Sequence, residues 1–214
     1  MIRMSFSIRL TKTKNKMKNT LKKIIVVAAV SYGLLFFTGC CKPEIIGNVP
    51  NVLRPQETSL WCWAATTQML AQHFNVTVTQ CDLANHRFGK TNCCTPKNQG
   101  SACPKTDDCK KAGWLELDYA GLKFDESTTA LSFDDLKRQI FCSKKPMGYA
   151  YGGTGIGHVL VIKGYVTVGG ANYLVLNDPW SPCVGAERLI TYEEYADPAG
   201  DVTHWRTFFN IEKK

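Results

Sequence analysis

Apolar positions fall at helical spacing early in this chain and at strand spacing late in it. From Cys62 to Phe74, the residues Trp63, Thr66, Leu70 and Phe74 lie near the i, i+3, i+4 pattern of a buried helical stripe. Thr58 and Ser59 stand upstream as expected caps. Ser132-Phe-Asp-Asp before Leu136 and Ile140 predicts a second, capped helix. Met147 to Tyr151 reads as a strand. Val159 to Val168, then Gly169-Gly170, then Asn172 to Leu176 predicts a β-hairpin, and Thr203 to Ile211 a last strand. Between these, Cys81 to Lys111 is polar, Cys-rich and broken by Pro96, Gly100 and Pro104, and reads as turns and loops held covalently. Helix first and antiparallel sheet afterwards predicts an α+β fold with two lobes.

Charge changes the picture at the N-terminus. The chain has 26 Lys and Arg against 18 Asp and Glu. Eight of the basic residues, from Arg3 to Lys23, lie in residues 1–39, which hold no acid, so residues 40–214 balance at 18 against 18. The basic excess belongs to a targeting segment, and a nucleic-acid partner, which needs a basic face on the folded part, is not expected. Lys18, Lys22 and Lys23 precede an apolar run from Ile24 to Phe37 that is short for a membrane span. Residues 1–39 therefore read as a signal peptide, with Met17 as its start. Thr38-Gly39-Cys40 closes it and resembles the lipobox of bacterial lipoproteins, where the Cys is lipidated and becomes the new N-terminus. Residues 40–55, with Pro43, Pro50 and Pro55, read as the lipidated Cys and a tether, and residues 56–214 as the functional domain. The expected location is the bacterial cell envelope, lipid-anchored at a membrane, or the exterior by secretion.

Export places ten cysteines in an oxidising compartment, where disulfides form. Setting Cys40 aside for lipid leaves nine, an odd number, so one thiol is expected free. Cys81, Cys93, Cys94 and Cys109 are the disulfide candidates. Adjacent cysteines part to different partners, so Cys81 should join Cys93 or Cys94, and the other of that pair Cys109. A zinc site among Cys93, Cys94, Cys103, Cys109 and His86 is not expected, because paired C-x-x-C spacing is missing.

Ser59-Leu-Trp-Cys-Trp-Ala-Ala sets Cys62 at the first turn of a helix, where the dipole and unpaired N–H groups favour the thiolate that attacks carbonyl carbon. Such a nucleophile needs a base. His73 lies eleven residues further along the same helix, roughly 16 Å away. His86 and His204 fall in a loop and in the last strand. His158, after Gly157 at the head of a strongly apolar strand, is the histidine a rigid scaffold could hold at a cleft. The hairpin returns Asn177-Asp178-Pro179-Trp180 close to His158, where an acid or amide can fix the ring's tautomer. It also suits a turn before proline.

Gln56 six residues before Cys62, Cys-Trp-Ala, Gly-His before an apolar strand, and Asn-Asp-Pro-Trp together resemble papain-like cysteine proteases. Trp-Cys-Trp-Ala-Ala, Gln80-Cys81 and Cys93-Cys94 are similar to a bacterial branch that includes a secreted effector protease of plant pathogens. The likeness spans roughly residues 50–210. It implies a two-lobed fold, a helical lobe bearing the nucleophile and an antiparallel β lobe. It also implies catalysis by Cys62, His158 and Asp178, with Gln56 and the Cys62 amide binding the oxyanion. The Cys-Gly-Ser of plant papains is replaced by Ser59-Leu60-Trp61, and Asp178 stands where they use Asn.

The expectation is thus a monomeric cysteine endopeptidase acting on protein or peptide, without metal or organic cofactor, tied to the membrane by lipid. A transglutaminase-like acyltransferase and a peptidoglycan endopeptidase use the same three residues. A non-catalytic, disulfide-rich binding lipoprotein would instead spend Cys62 in a cystine. Lipidation is tested directly: the wild type expressed in a bacterium should enter the detergent phase with a lipid-modified N-terminal peptide, and Cys40→Ser should not. A mature N-terminus elsewhere, unmodified, would remove the anchor.

Overall fold

The computed structural model describes residues 41–94 and 109–214. The expected signal peptide, Cys40 and Cys103 lie outside the described residues. In chain order the elements are β1 (Ile46–Asn48), α1 (Cys62–His73), α2 (Gln80–Phe88), β2 (Leu122–Ser127) and α3 (Phe133–Lys137), which runs into a π-helical turn at Arg138–Cys142. Then come β3 (Met147–Gly153), β4 (Ile156–Val168), β5 (Ala171–Asp178), β6 (Ala186–Thr191), α4 (Tyr192–Ala196) and β7 (Val202–Lys213). The strands form one antiparallel sheet in the order β2-β7-β3-β4-β5-β6, with β1 added to β4. The class is α+β, and residues 42–214 make one compact unit.

The uninterrupted apolar run of β4 is explained by burial on both faces, which removes the alternation of a half-exposed strand. Val159 and Val161 pack with Met69 and Leu70 of α1. Leu160 and Ile162 pack on the opposite side with Leu136, Ile140 and Tyr195. The pairing with β5 shifts register between Ile162 and Gly164, and this returns Tyr165 to the same cluster as Leu160 and Ile162. The hairpin closes over Gly169 and Gly170, with φ of 59° and 83°, between the paired Val168 and Ala171. Two consecutive positive φ values are what a tight turn matched to strand twist requires, and glycine takes them without strain.

Helix α1 is fastened to the sheet by polar as well as apolar contacts. The buried Thr66 hydroxyl donates to the Val159 carbonyl at 2.9 Å. Asn51 donates to the Met69 carbonyl at 2.9 Å, and Asn177 of β5 donates to the Asn51 carbonyl at 2.8 Å. His73 at the helix end bridges the carbonyls of Pro50 and Lys144.

Three local expectations are corrected. The stretch after Cys81 is not all turns, because Gln80–Phe88 is helical. Thr79 and Asp82 form a reciprocal capping box, Gly89 ends the helix in the left-handed region at φ 61°, and Leu83 and Ala84 are buried. Residues 41–55 are not a free tether. Ile46–Asn48 pairs with Gly164 to Val166 of β4, and Val49 and Asn51 are buried. Thr58 and Ser59 do not cap α1, whose N-cap is Trp61 with no side-chain hydrogen bond.

Thr66→Val keeps the side-chain volume and deletes the donor to Val159. It should lower stability by about 1–3 kcal/mol, read as an earlier urea midpoint at unchanged slope. An unchanged midpoint would show that the bond contributes nothing.

Candidate active site

The start of α1 is held by its flanking tryptophans. Trp61 and Trp63 are buried, and their indole N–H groups donate to the carbonyls of Cys109 at 2.8 Å and Lys111 at 3.2 Å. Buried indoles are stable only with such partners. The receiving segment is stapled by Cys81–Cys94 and Cys93–Cys109. Trp61, Trp63, Leu83, Ala84 and these cysteines make a small core of their own. Between the tryptophans Cys62 is 8% exposed. Among the described residues it is the one free cysteine, since Cys41, Cys142 and Cys183 are also disulfide-bonded. With no side chain capping the helix, the first-turn N–H groups beside Cys62 keep their donors for another acceptor.

His158 is the third residue of β4, one residue before the carbonyl that receives Thr66. Its Nε2 lies 2.6 Å from Asp178 Oδ1. An ionised carboxylate only accepts, so Nε2 carries the proton and donates. Cys62 lies beside His158 on the same cavity wall and helps to raise its pKa, and Nδ1 is the ring nitrogen left to meet it. Asp178, 2% exposed, accepts the Trp180 backbone N–H at 2.9 Å on Oδ1 and Arg188 at 2.8 Å on Oδ2. Tyr151, paired with His158 across β3 and β4, sets its ring edge-on to the imidazole at 5.7 Å. Cys62, His158 and Asp178 are thus contiguous. Arg188 and Tyr151 escaped the sequence reading, because neither belongs to a motif and both arrive through strand register.

Asn177 does not meet the imidazole, being turned to Asn51. Gln56 is buried, its Nε2 donates to the Thr58 carbonyl at 2.9 Å, and its Oε1 has no partner. Its backbone is stitched to Pro179 and Cys183, the segment that follows Asp178. His86 lies in α2 rather than a loop, beside Glu116 and stacked on Tyr119, and so stands outside the site. His204 bonds Thr207 and is held below its ordinary pKa by burial. Cys93, Cys94 and Cys109 are spent in disulfides, so they offer no thiolate to a metal.

Cys62 and His158 open on a cavity of about 300 Å³, walled by Leu60, Trp114, Trp205 and glycines. At Gly157 a Cβ would come within 2.8 Å of the Trp205 ring. Any larger residue there would displace the wall.

Burial opposes charge on His158, but its hydrogen bonds to Asp178 and Cys62, and their negative charges, outweigh that and raise its pKa from 6.5 to about 9. Burial likewise opposes ionisation of Asp178, yet the bonds to His158, Arg188 and Trp180 hold its carboxyl below the usual value. The His158 contribution to stability is fully present below pH 6.5 and is lost as pH rises through about 9. That of Asp178 is present above the ordinary carboxylate pKa and lost on acidification. Between pH 6 and pH 9.5 the wild type should lose up to roughly 3 kcal/mol more unfolding free energy than His158→Ala. Parallel pH profiles from denaturant titrations would refute this.

No curated protein matches the sequence. Among solved structures, a double glycine motif protease from an AMS/PCAT transporter, in complex with the leader peptide, is similar at 16% identity. The match covers 81% of this chain and 99% of that one, with a TM-score of 0.45. A structure bearing on antibody cross reactivity between the mite allergens Blo t 1 and Der p 1 aligns at 10% identity over 81% and 73%, TM-score 0.47. UfSP from C. elegans aligns at 12% over 84% of this chain and 36% of its own, TM-score 0.46. The model of the Peptidase_C39 like family matches residues 47–204, well over half of the chain. The chain belongs to the Peptidase_C39 like family.

Proposed function

We propose that this cysteine peptidase hydrolyses peptide bonds through a Cys62 acyl-enzyme, with His158 as proton carrier and Asp178 as its orienting acid. The observation that carries the reading is a free Cys62 sharing the wall of one cavity with His158, itself 2.6 Å from a buried carboxylate. In the first half-reaction the thiolate attacks the scissile carbonyl carbon, a C–S bond forms and the carbonyl electrons move to oxygen. Collapse breaks the C–N bond, and the amine leaves with a proton from His158. Water then attacks the thioester, giving a proton back to His158, and the carboxylic acid departs as Cys62 is regenerated. The uncapped N–H of Cys62 and the second Nε2–H of Gln56 are the proposed oxyanion donors. Leu60, Trp114 and Trp205 favour an apolar substrate side chain in the cavity. Exported, disulfide-stapled and carrying Thr38-Gly39-Cys40, the enzyme would work from a lipid anchor at the cell envelope.

Iodoacetamide and an epoxide directed at papain-like enzymes should label Cys62 in the native, unreduced protein, and His158→Ala should slow labelling markedly. Peptide-library cleavage should vanish in Cys62→Ala and fall roughly 10²-fold in kcat in Gln56→Ala. Isopeptide products in the presence of an amine would favour acyl transfer to amines instead, and cutting confined to peptidoglycan would favour the cell-wall substrate. Recovery of Cys62 in a disulfide from freshly exported protein would end the catalytic reading.

A further inference from the structure

Only one oxygen of Asp178 faces the imidazole. Oδ1 accepts from His158 at 2.6 Å and from the Trp180 backbone at 2.9 Å, while Oδ2 accepts from Arg188 at 2.8 Å. A carboxylate exposed by 2% is costly unless every lone pair in use has a donor. Arg188 supplies the one that the backbone and the histidine do not. It sits on β6, opposite Leu176, so it is the diagonal neighbour of Asp178, whose direct partner is Ala186. The guanidinium and the Tyr151 hydroxyl also interact electrostatically. Tyr151 is the cross-strand partner of His158 and touches its ring. The contacts close a circuit over four strands: Arg188 to Asp178 to His158 to Tyr151 and back to Arg188.

We propose that Arg188, steadied by the Tyr151 hydroxyl, is a positioning residue that fixes the Asp178 carboxylate against His158. This rests on the His158 and Asp178 roles proposed above. A carboxylate held at one oxygen swings about its last torsion, and the ring it orients swings with it. A planar guanidinium on the second oxygen removes that freedom in a way a point charge does not. Arg188 also acts electrically. The charged or titratable groups facing His158 are Asp178, Cys62 and Tyr151, and burial together with the Asp178 charge raises the Tyr151 pKa and keeps it neutral. Arg188, reaching His158 through Asp178, is the cation of the set, and it draws off part of the charge that stabilises the imidazolium. Loss of Arg188 should therefore make His158 harder to deprotonate. A merely structural ion pair on a side chain 51% exposed would move stability slightly and leave the titration alone.

The test uses the full chain, exported and purified, as wild type, Arg188→Gln, Arg188→Lys and Tyr151→Phe. Two quantities are followed: kcat and KM on a cleaved peptide, and the rate of Cys62 alkylation by iodoacetamide against pH. His158→Ala identifies the step in that profile due to the imidazole. In Arg188→Gln, kcat should fall about ten- to a hundredfold with KM within about twofold, and the imidazole step should move to higher pH. Arg188→Lys should restore the position of the step but only part of kcat, and Tyr151→Phe should give a smaller loss in the same direction. Wild-type kcat and an unmoved step in Arg188→Gln would overturn the proposal, as would lower thermal stability with an unmoved step. If the step shifts as expected in a protein that cleaves no peptide, the assignment of Arg188 stands and the peptidase reading alone fails.

Discussion

The seating of helix α1 on the head of strand β4 is the constraint on which the rest of this molecule depends. Thr66, one turn beyond Cys62, donates to the carbonyl of Val159, the residue after His158. That bond fixes the spacing between a thiol on a helix and an imidazole on a strand far away in sequence. It persists because β4 cannot shift: apolar clusters grip it on both faces, so a slip of one residue would exchange Val159 and Val161 with Leu160 and Ile162. Asn51 and Asn177 add polar stitches around the same helix, each satisfying a buried backbone carbonyl, and His73 adds an exposed one at its end.

The helix start has the opposite character. It lacks a side-chain cap, which normally adds about 1 kcal/mol, yet it is held rigidly from outside. Trp61 and Trp63 carry that load through a satellite core of tryptophan, leucine, alanine and paired sulfurs. Two disulfides join Cys81 to Cys94 and Cys93 to Cys109, and the carbonyls of Cys109 and Lys111 receive the indoles. Local stability is given up at the N-terminus of α1, where unpaired N–H groups are useful to an enzyme, and is recovered a few ångströms away.

At the site itself a single buried carboxylate organises the charges. Asp178 collects a histidine, an arginine and a backbone amide, and its low pKa and the raised pKa of His158 are two faces of one interaction. The His158 pKa is raised to about 9 because Asp178 and Cys62 are set beside the imidazole, against the burial that opposes its charge. Such an arrangement needs β3, β4, β5 and β6 all in register.

The sequence by itself determined what local chemistry can dictate. The stripe through Trp63 and Leu70, the Gly169-Gly170 turn and the apolar run of β4 were legible because each expresses a short-range preference of the chain. Cys62, His158 and Asp178 were legible because they are residue types of distinctive chemistry set in short motifs. The Thr79–Asp82 box and Gly89 are local signals of the same kind, set in a stretch whose cysteines and polar residues otherwise favour loops. What only the tertiary structure decided were the partnerships between distant segments. Ile46–Asn48 is too short and too near prolines to announce a strand, and becomes one because β4 offers an unpaired edge. Arg188 carries no motif, and becomes part of the site because β6 pairs with β5 two residues from Asp178. Strand register is set by the burial of whole faces at once, a property of the packed chain that no local window of residues contains.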